Sequence, residues 1–130
     1  MTAPVRIQRK RTRGYDMQAE SRAINGLPAV YVGRPSAFGN PFTAEKAVEI
    51  GFFCGVDADG MREFLTQCFR SWIGGSDKWW IGDESDAVRA KMLSRISELR
   101  GRNLACWCPL PENGNPDHCH ASVLLEIANR

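Results

Sequence analysis

The stretch NLACWC, residues 103–108, decides the fold. It is a short apolar run directly after a helical pattern, the arrangement of an inner strand in a parallel sheet whose two faces are covered. A turn-rich loop, PLPENGNPD at 109–117, follows, and then HASVLLEIANR, in which Val123, Leu124 and Ile127 recur at the spacing of a core-facing helix.

Upstream of that strand, acids near DESD (83–86) mark a helix start, and Val88, Met92, Ile96 and Leu99 form a stripe that Gly101 closes. Asp57 or Asp59 is placed to cap an earlier helix carrying Met61, Phe64, Leu65, Cys68 and Trp72 at helical spacing, stopped by Gly74 and Gly75. Thr43 caps a short helix through about Ile50, with Gly51 as its stop. GLPAVYVGRP (26–35) has the Val30, Tyr31, Val32 core of a second strand. PVRIQRK (4–10) alternates like a first strand with one wet face and continues into a basic loop. The expected fold is a small single-domain α/β sandwich with a short, mostly parallel sheet flanked by helices, residues 1–14 forming a basic strand and arm.

At 130 residues, 43% apolar and 25% charged, the chain has an ordinary globular composition and can bury a core without disulfides. It contains no run long and apolar enough to cross a membrane. MTAPVRIQRKRTRG lacks the apolar segment of a secretion signal, so a cytoplasmic location is expected, with cysteines as thiols. The net charge of +2 hides an asymmetry: Arg6, Arg9, Lys10, Arg11 and Arg13 all precede the first acid, Asp16, leaving 12 bases against 15 acids beyond. Such an arm can contact the phosphates of a nucleotide or a nucleic acid; it reads equally as a solvated charge run. No oligomeric state is specified by the pattern.

Three of the five cysteines and both histidines fall within residues 106–120. Alternation along the strand puts Leu104, Cys106 and Cys108 on one face and Ala105 and Trp107 on the other. The loop can return Cys119 and His120, with His118 beside them, to complete a tetrahedral zinc set of Cys106, Cys108, Cys119 and His120. Four protein ligands make a closed structural site, whereas three leave a position for an activated water. Alternatively Cys119, at the start of the last helix, is a nucleophile with His120 or His118 as its base. A Cys108–Cys119 redox pair and plain packed thiols also remain open. Cys54 and Cys68 stand apart, Cys68 reading as a buried small hydrophobe.

The second informative stretch is VYVGRPSAFGNPF, residues 30–42, between a strand and a helix. Ligands of open α/β sheets bind beyond the carboxyl ends of the strands, where this turn would lie. Gly33 and Gly39 permit close approach or positive φ, Arg34 offers a fork for phosphate or carboxylate, and Ser36 and Asn40 add neutral hydrogen bonds. The competing reading is a tight loop with Arg34 paired to an acid. Trp79 and Trp80 serve either as a stacking surface or as core.

VYVGRPSAFGNPF together with LACWCPL and CHASVLLEIA resembles the DUF4326 family, small, mostly bacterial and phage proteins of unknown function. The matching elements are Gly33, Arg34, Gly39, Asn40, Pro41 and Phe42, then Cys106, Cys108, Cys119 and His120. His118 lies outside them, which favours His120 as ligand or base. The resemblance implies that the two stretches converge on one site, and it carries no reaction. The expectation is an anionic, nucleotide- or nucleic-acid-derived ligand held next to the Cys/His cluster, with group transfer or hydrolysis as the class of any reaction. The rival is a noncatalytic zinc-stabilised module that binds nucleic acid.

Overall fold

The computed structural model describes residues 3–49, 51, 57–76 and 85–130. Ile50, Cys54, Trp79 and Trp80, which carry expectations stated above, lie outside the described residues. Three strands, β1 (Arg6–Gln8), β2 (Ala29–Tyr31) and β3 (Asn103–Cys106), form one parallel sheet in the order β1-β3-β2. The last strand in sequence is thus the middle one in space, and every residue of it is buried. Ile7 pairs with Ala105 and Val30 with Leu104.

The sheet divides the core in two. Leu104, Cys106 and Val32 face the larger cluster, which is filled by Phe64, Phe69 and Trp72 of α3 (Ala58–Ile73) and by Val123 and Leu124 of α5 (His120–Ala128). Ile7, Ala29 and Ala105 face a small cluster closed by Met17. The architecture is therefore the expected α/β sandwich, a single small domain with one thick helical layer. Burial of a Phe or Trp of this kind is typically worth about 3–5 kcal/mol against truncation to alanine, so the thick side holds most of the stabilisation.

Local signals account for the helix ends. The Asp57 carboxylate accepts from Gly60 N at 2.7 Å, so Asp57 rather than Asp59 caps α3. Thr43 Oγ1 accepts from Lys46 N at 3.2 Å at the start of α2 (Ala44–Glu49), and Gly51 beyond it takes φ +83°. Cys68 is 2% exposed, and burial pushes its thiol up to about 11, the behaviour of a packed hydrophobe.

Two expectations change. The single helix closing at Gly101 is instead α4 (Ser85–Ser94) followed by a 3-10 turn at Ile96–Leu99. Met92 and Leu99 are buried, but Val88, one turn before Met92 in α4, is 41% exposed, so the stripe does not extend to the start of that helix. The basic loop after β1 is short and leads into a helix the apolar pattern did not announce, α1 (Met17–Asn25). Ser21 is the one fully buried residue of α1, so its fixation is polar. Gln18 Nε2 donates to Ala29 O at 2.7 Å while Gln18 Oε1 accepts from Ala29 N at 2.8 Å. Asn103, fully buried on β3, accepts from Val5 N at 2.9 Å and donates to Ser21 Oγ at 2.7 Å and to Asn25 Oδ1 at 2.8 Å. Among the described residues no helix is long and apolar enough to cross a membrane.

Candidate metal centre and ligand pocket

The carboxyl end of β3 delivers the first two sulfurs. Cys106 ends the strand, and Cys108, two residues on, returns to the same face with Sγ 3.9 Å from that of Cys106. The 109–118 loop then brings back Cys119, which occupies the N-cap position of α5 with extended backbone (φ −144°, ψ 137°). All three sulfurs lie within 4.8 Å of one another. In tetrahedral zinc, with Zn–S near 2.3 Å, ligand sulfurs stand about 3.8 Å apart, so the Cys106–Cys108 separation already suits one shared ion.

The loop is tied down by a residue grouped above with the basic arm. Arg6 is buried, and its guanidinium is a two-point partner of Asp117, with Nε to Oδ2 at 2.8 Å and Nη2 to Oδ1 at 2.7 Å. Its remaining donors reach Cys108 O at 2.6 Å and Pro109 O at 2.7 Å. Arg6 is therefore a structural strap across both ends of the loop, unavailable to phosphate, because β1 register places it on the same face as Leu104 and the sulfurs.

Buried together, the thiols titrate as a unit. Hydrogen bonds from Cys108 and Cys119 favour a thiolate on Cys106 and hold its pKa far below the usual thiol range; the same partnership pushes Cys119 and Cys108 up. One negative charge is easily held and further ones are not, until a cation is supplied. Cys119, 1% exposed, shares this titration with its two neighbours and does not act as an isolated thiol.

His120 begins α5, with Nδ1 4.0 Å from Cys119 Sγ and Nε2 2.8 Å from Val32 O. A carbonyl only accepts, so Nε2 carries the proton and Nδ1 presents a lone pair. Desolvation lowers the pKa of the ring and keeps it neutral. This is the orientation that metal-ligating imidazoles adopt when a backbone carbonyl fixes the other nitrogen. His120 nonetheless stands outside the set of ligating atoms that all lie within 4.8 Å, which comprises the three sulfurs. His118 turns elsewhere, Nδ1 3.3 Å from an Asp59 oxygen, and that hydrogen bond lowers the pKa of Asp59.

The cluster and the glycine turn line one cavity of about 210 Å³: Gly33, Arg34 and Asn40 of the turn, with Arg62, Trp107 and His118, share it with the three cysteines and His120. The two informative stretches of sequence thus meet at one place. Ser36 and Gly39 are not on the cavity wall; Ser36 Oγ accepts from Phe38 N at 3.3 Å inside the turn. The Asn40 amide is engaged internally, accepting from Phe42 N at 2.9 Å and donating to Leu65 O at 3.2 Å. Gly33 and Gly39 serve close approach rather than positive φ: a Cβ at Gly33 would lie 2.7 Å from Tyr31 Cζ, and one at Gly39 2.9 Å from Arg34 Cγ. Arg34 Nη1 donates to Asn40 O at 3.2 Å, and no carboxylate pairs with Arg34 among the described residues.

Arg62, Trp107 and Asp117 were not singled out by sequence. Arg62 lies on an ordinary helical face and Asp117 in a loop, and neither carries a local signal; Trp107 had one, its alternation opposite the cysteines. The model of a family described as a domain of unknown function (DUF4326) matches residues 7–130. No curated protein and no solved structure matches the chain.

Proposed function

The chain belongs to the DUF4326 family, and on that footing we propose that it holds one zinc ion through Cys106, Cys108 and Cys119, facing a pocket that takes an anionic, nucleotide-like ligand. The observation that carries this reading is the convergence of three sulfurs within 4.8 Å on the wall of a cavity also lined by Arg34, which pairs with no carboxylate among the described residues. Sulfurs so close suit a single thiophilic ion, and such an ion relieves the cost of the second and third thiolate. Arg34 orients a phosphate, while Arg62 on the same wall is paired with Asp59 at 3.3 Å. With three protein ligands, zinc supplies an open position for Lewis-acid activation of a water or a substrate oxygen, which suits hydrolysis or group transfer.

A second reading is favoured by the His120 geometry. Its Nδ1, already 4.0 Å from Cys119 Sγ, would serve as a fourth ligand if the ring moved toward the other two sulfurs, and the ion would then be closed and structural. Elemental analysis of tag-free protein purified without added zinc, with a thiol titration in native buffer, tests the site. About one zinc per chain, lost in Cys106→Ser and Cys119→Ser but retained in His120→Ala, supports the open site; loss in His120→Ala as well supports the closed one. Metal-free protein with one fast-reacting thiol in the cluster overturns both.

A further inference from the structure

The cavity is small. About 210 Å³ is below the roughly 300–1,000 Å³ typical of small-molecule sites, so it accepts one nucleotide fragment and leaves the rest of a larger ligand outside. On one side it borders a larger cavity of about 490 Å³ whose lining includes Asp59, paired with Arg62, Asp117, paired with Arg6, and Glu112. Its one arginine is already engaged by an acid, so that side offers a phosphate chain little.

The other side is different in chemistry. Trp107, on the cavity wall, meets Tyr31 edge to face with centroids 6.3 Å apart. The Arg9 guanidinium lies 4.6 Å from the Tyr31 ring centroid and 5.1 Å from that of Trp107, and Arg11 lies 4.6 Å from Trp107. Arg9 is fixed there because its backbone N donates to Cys106 O at 2.9 Å, extending the β1–β3 ladder by one residue. No carboxylate pairs with Arg9 or Arg11 among the described residues, whereas Lys10 between them is 3.5 Å from Glu20. A guanidinium held over an aromatic ring keeps N–H donors for an anion, and the contact orders it before any ligand arrives.

The geometry points to a single-stranded nucleic acid as the ligand: one nucleotide enters the cavity against Arg34, and the phosphates next to it run over the Arg9–Tyr31–Trp107–Arg11 shelf. This rests on the pocket proposed above and names its ligand class. Aromatic rings with unpaired arginines are the elements by which proteins hold single strands without reading sequence.

The test uses fluorescein-labelled dT12 and rU12, the same dT12 annealed to its complement, and thymidine monophosphate, titrated into the full chain at several salt concentrations. Expected are dT12 or rU12 binding at least 100-fold tighter than the monophosphate and at least 10-fold tighter than the duplex. In Arg9→Ala/Arg11→Ala, which keeps the Arg9 backbone bond to Cys106 O and whose folding is checked by its thermal unfolding, affinity falls at least 10-fold. The slope of log K against log salt then shrinks by about 1.4, two phosphate contacts at roughly 0.7 each. Single strands binding no tighter than monophosphate or duplex, or a double variant unchanged in affinity and slope, overturn the shelf. Monophosphate binding abolished by Arg34→Ala while dT12 gains nothing over it leaves the pocket standing without the shelf. Arm-dependent dT12 binding that Arg34→Ala does not touch leaves the shelf standing and removes the pocket.

Discussion

Arg6 and Arg9 are three residues apart in one basic run, yet they do unrelated things. Arg6 is enclosed with its guanidinium matched to Asp117 and to two loop carbonyls, and Arg9 lies over aromatic rings at the edge of the cavity. Removing one member of a buried pair strands the other charge, so Arg6→Ala is expected to cost about 3–5 kcal/mol in urea unfolding, whereas Arg13→Ala stays within about 0.5 kcal/mol. Arg6→Lys keeps the charge but not the fork, and falls between them. The sequence shows the charge run plainly. It does not show which arginine the strand register turns inward, because that depends on the pairing of Arg6 with Leu104.

Among the elements, β2 and β3 were legible as short apolar runs and α3 by its helical period, whereas the wet face expected of β1 is absent, Arg6 being buried beside Ile7 and Val5 exposed. Phe64, Cys68 and Trp72 are all buried as their spacing requires. Helix α1 was not legible, since it is held by Gln18, Ser21 and Asn25 through amide and hydroxyl contacts that leave no hydrophobic stripe. Its signals were its ends: Asp16 accepts from Ala19 N at 3.1 Å, and Gly26 takes φ +80°. Asp16→Ala is expected to cost about 1 kcal/mol, a lost cap. Asn103→Ala leaves Val5 N and the Asn25 amide without their buried partner and is expected to cost at least about 2 kcal/mol, from one or more unsatisfied polar groups. Hydrogen exchange over residues 17–25 separates the two: Asn103→Ala accelerates the whole helix, Asp16→Ala only its first turn.

For the molecule as a whole, the metal proposal makes stability depend on zinc. An ion bound only by the folded chain adds about 2.7 kcal/mol at 100 times its dissociation constant. In a domain of this size that corresponds to a Tm rise of roughly 10 °C on adding zinc to chelator-treated protein. An unchanged Tm would count against the site. The sequence by itself determined the α/β class, the central position of NLACWC, the helix cap at Thr43, the choice of Asp57 or Asp59 for the cap of α3 and the clustering of three cysteines, because each is local: period, capping and spacing act over a few residues. That the 30–42 turn and the 106–120 segment meet was implied by the family resemblance and not by any local pattern; tertiary structure alone decided which of their residues line the shared cavity, that Arg6 closes the loop from the far end of the chain, and that Trp107 meets Tyr31 and the arm. The physical reason is the strand order β1-β3-β2: inserting the last strand between the first two brings three distant segments to one sheet edge, a placement no local pattern encodes.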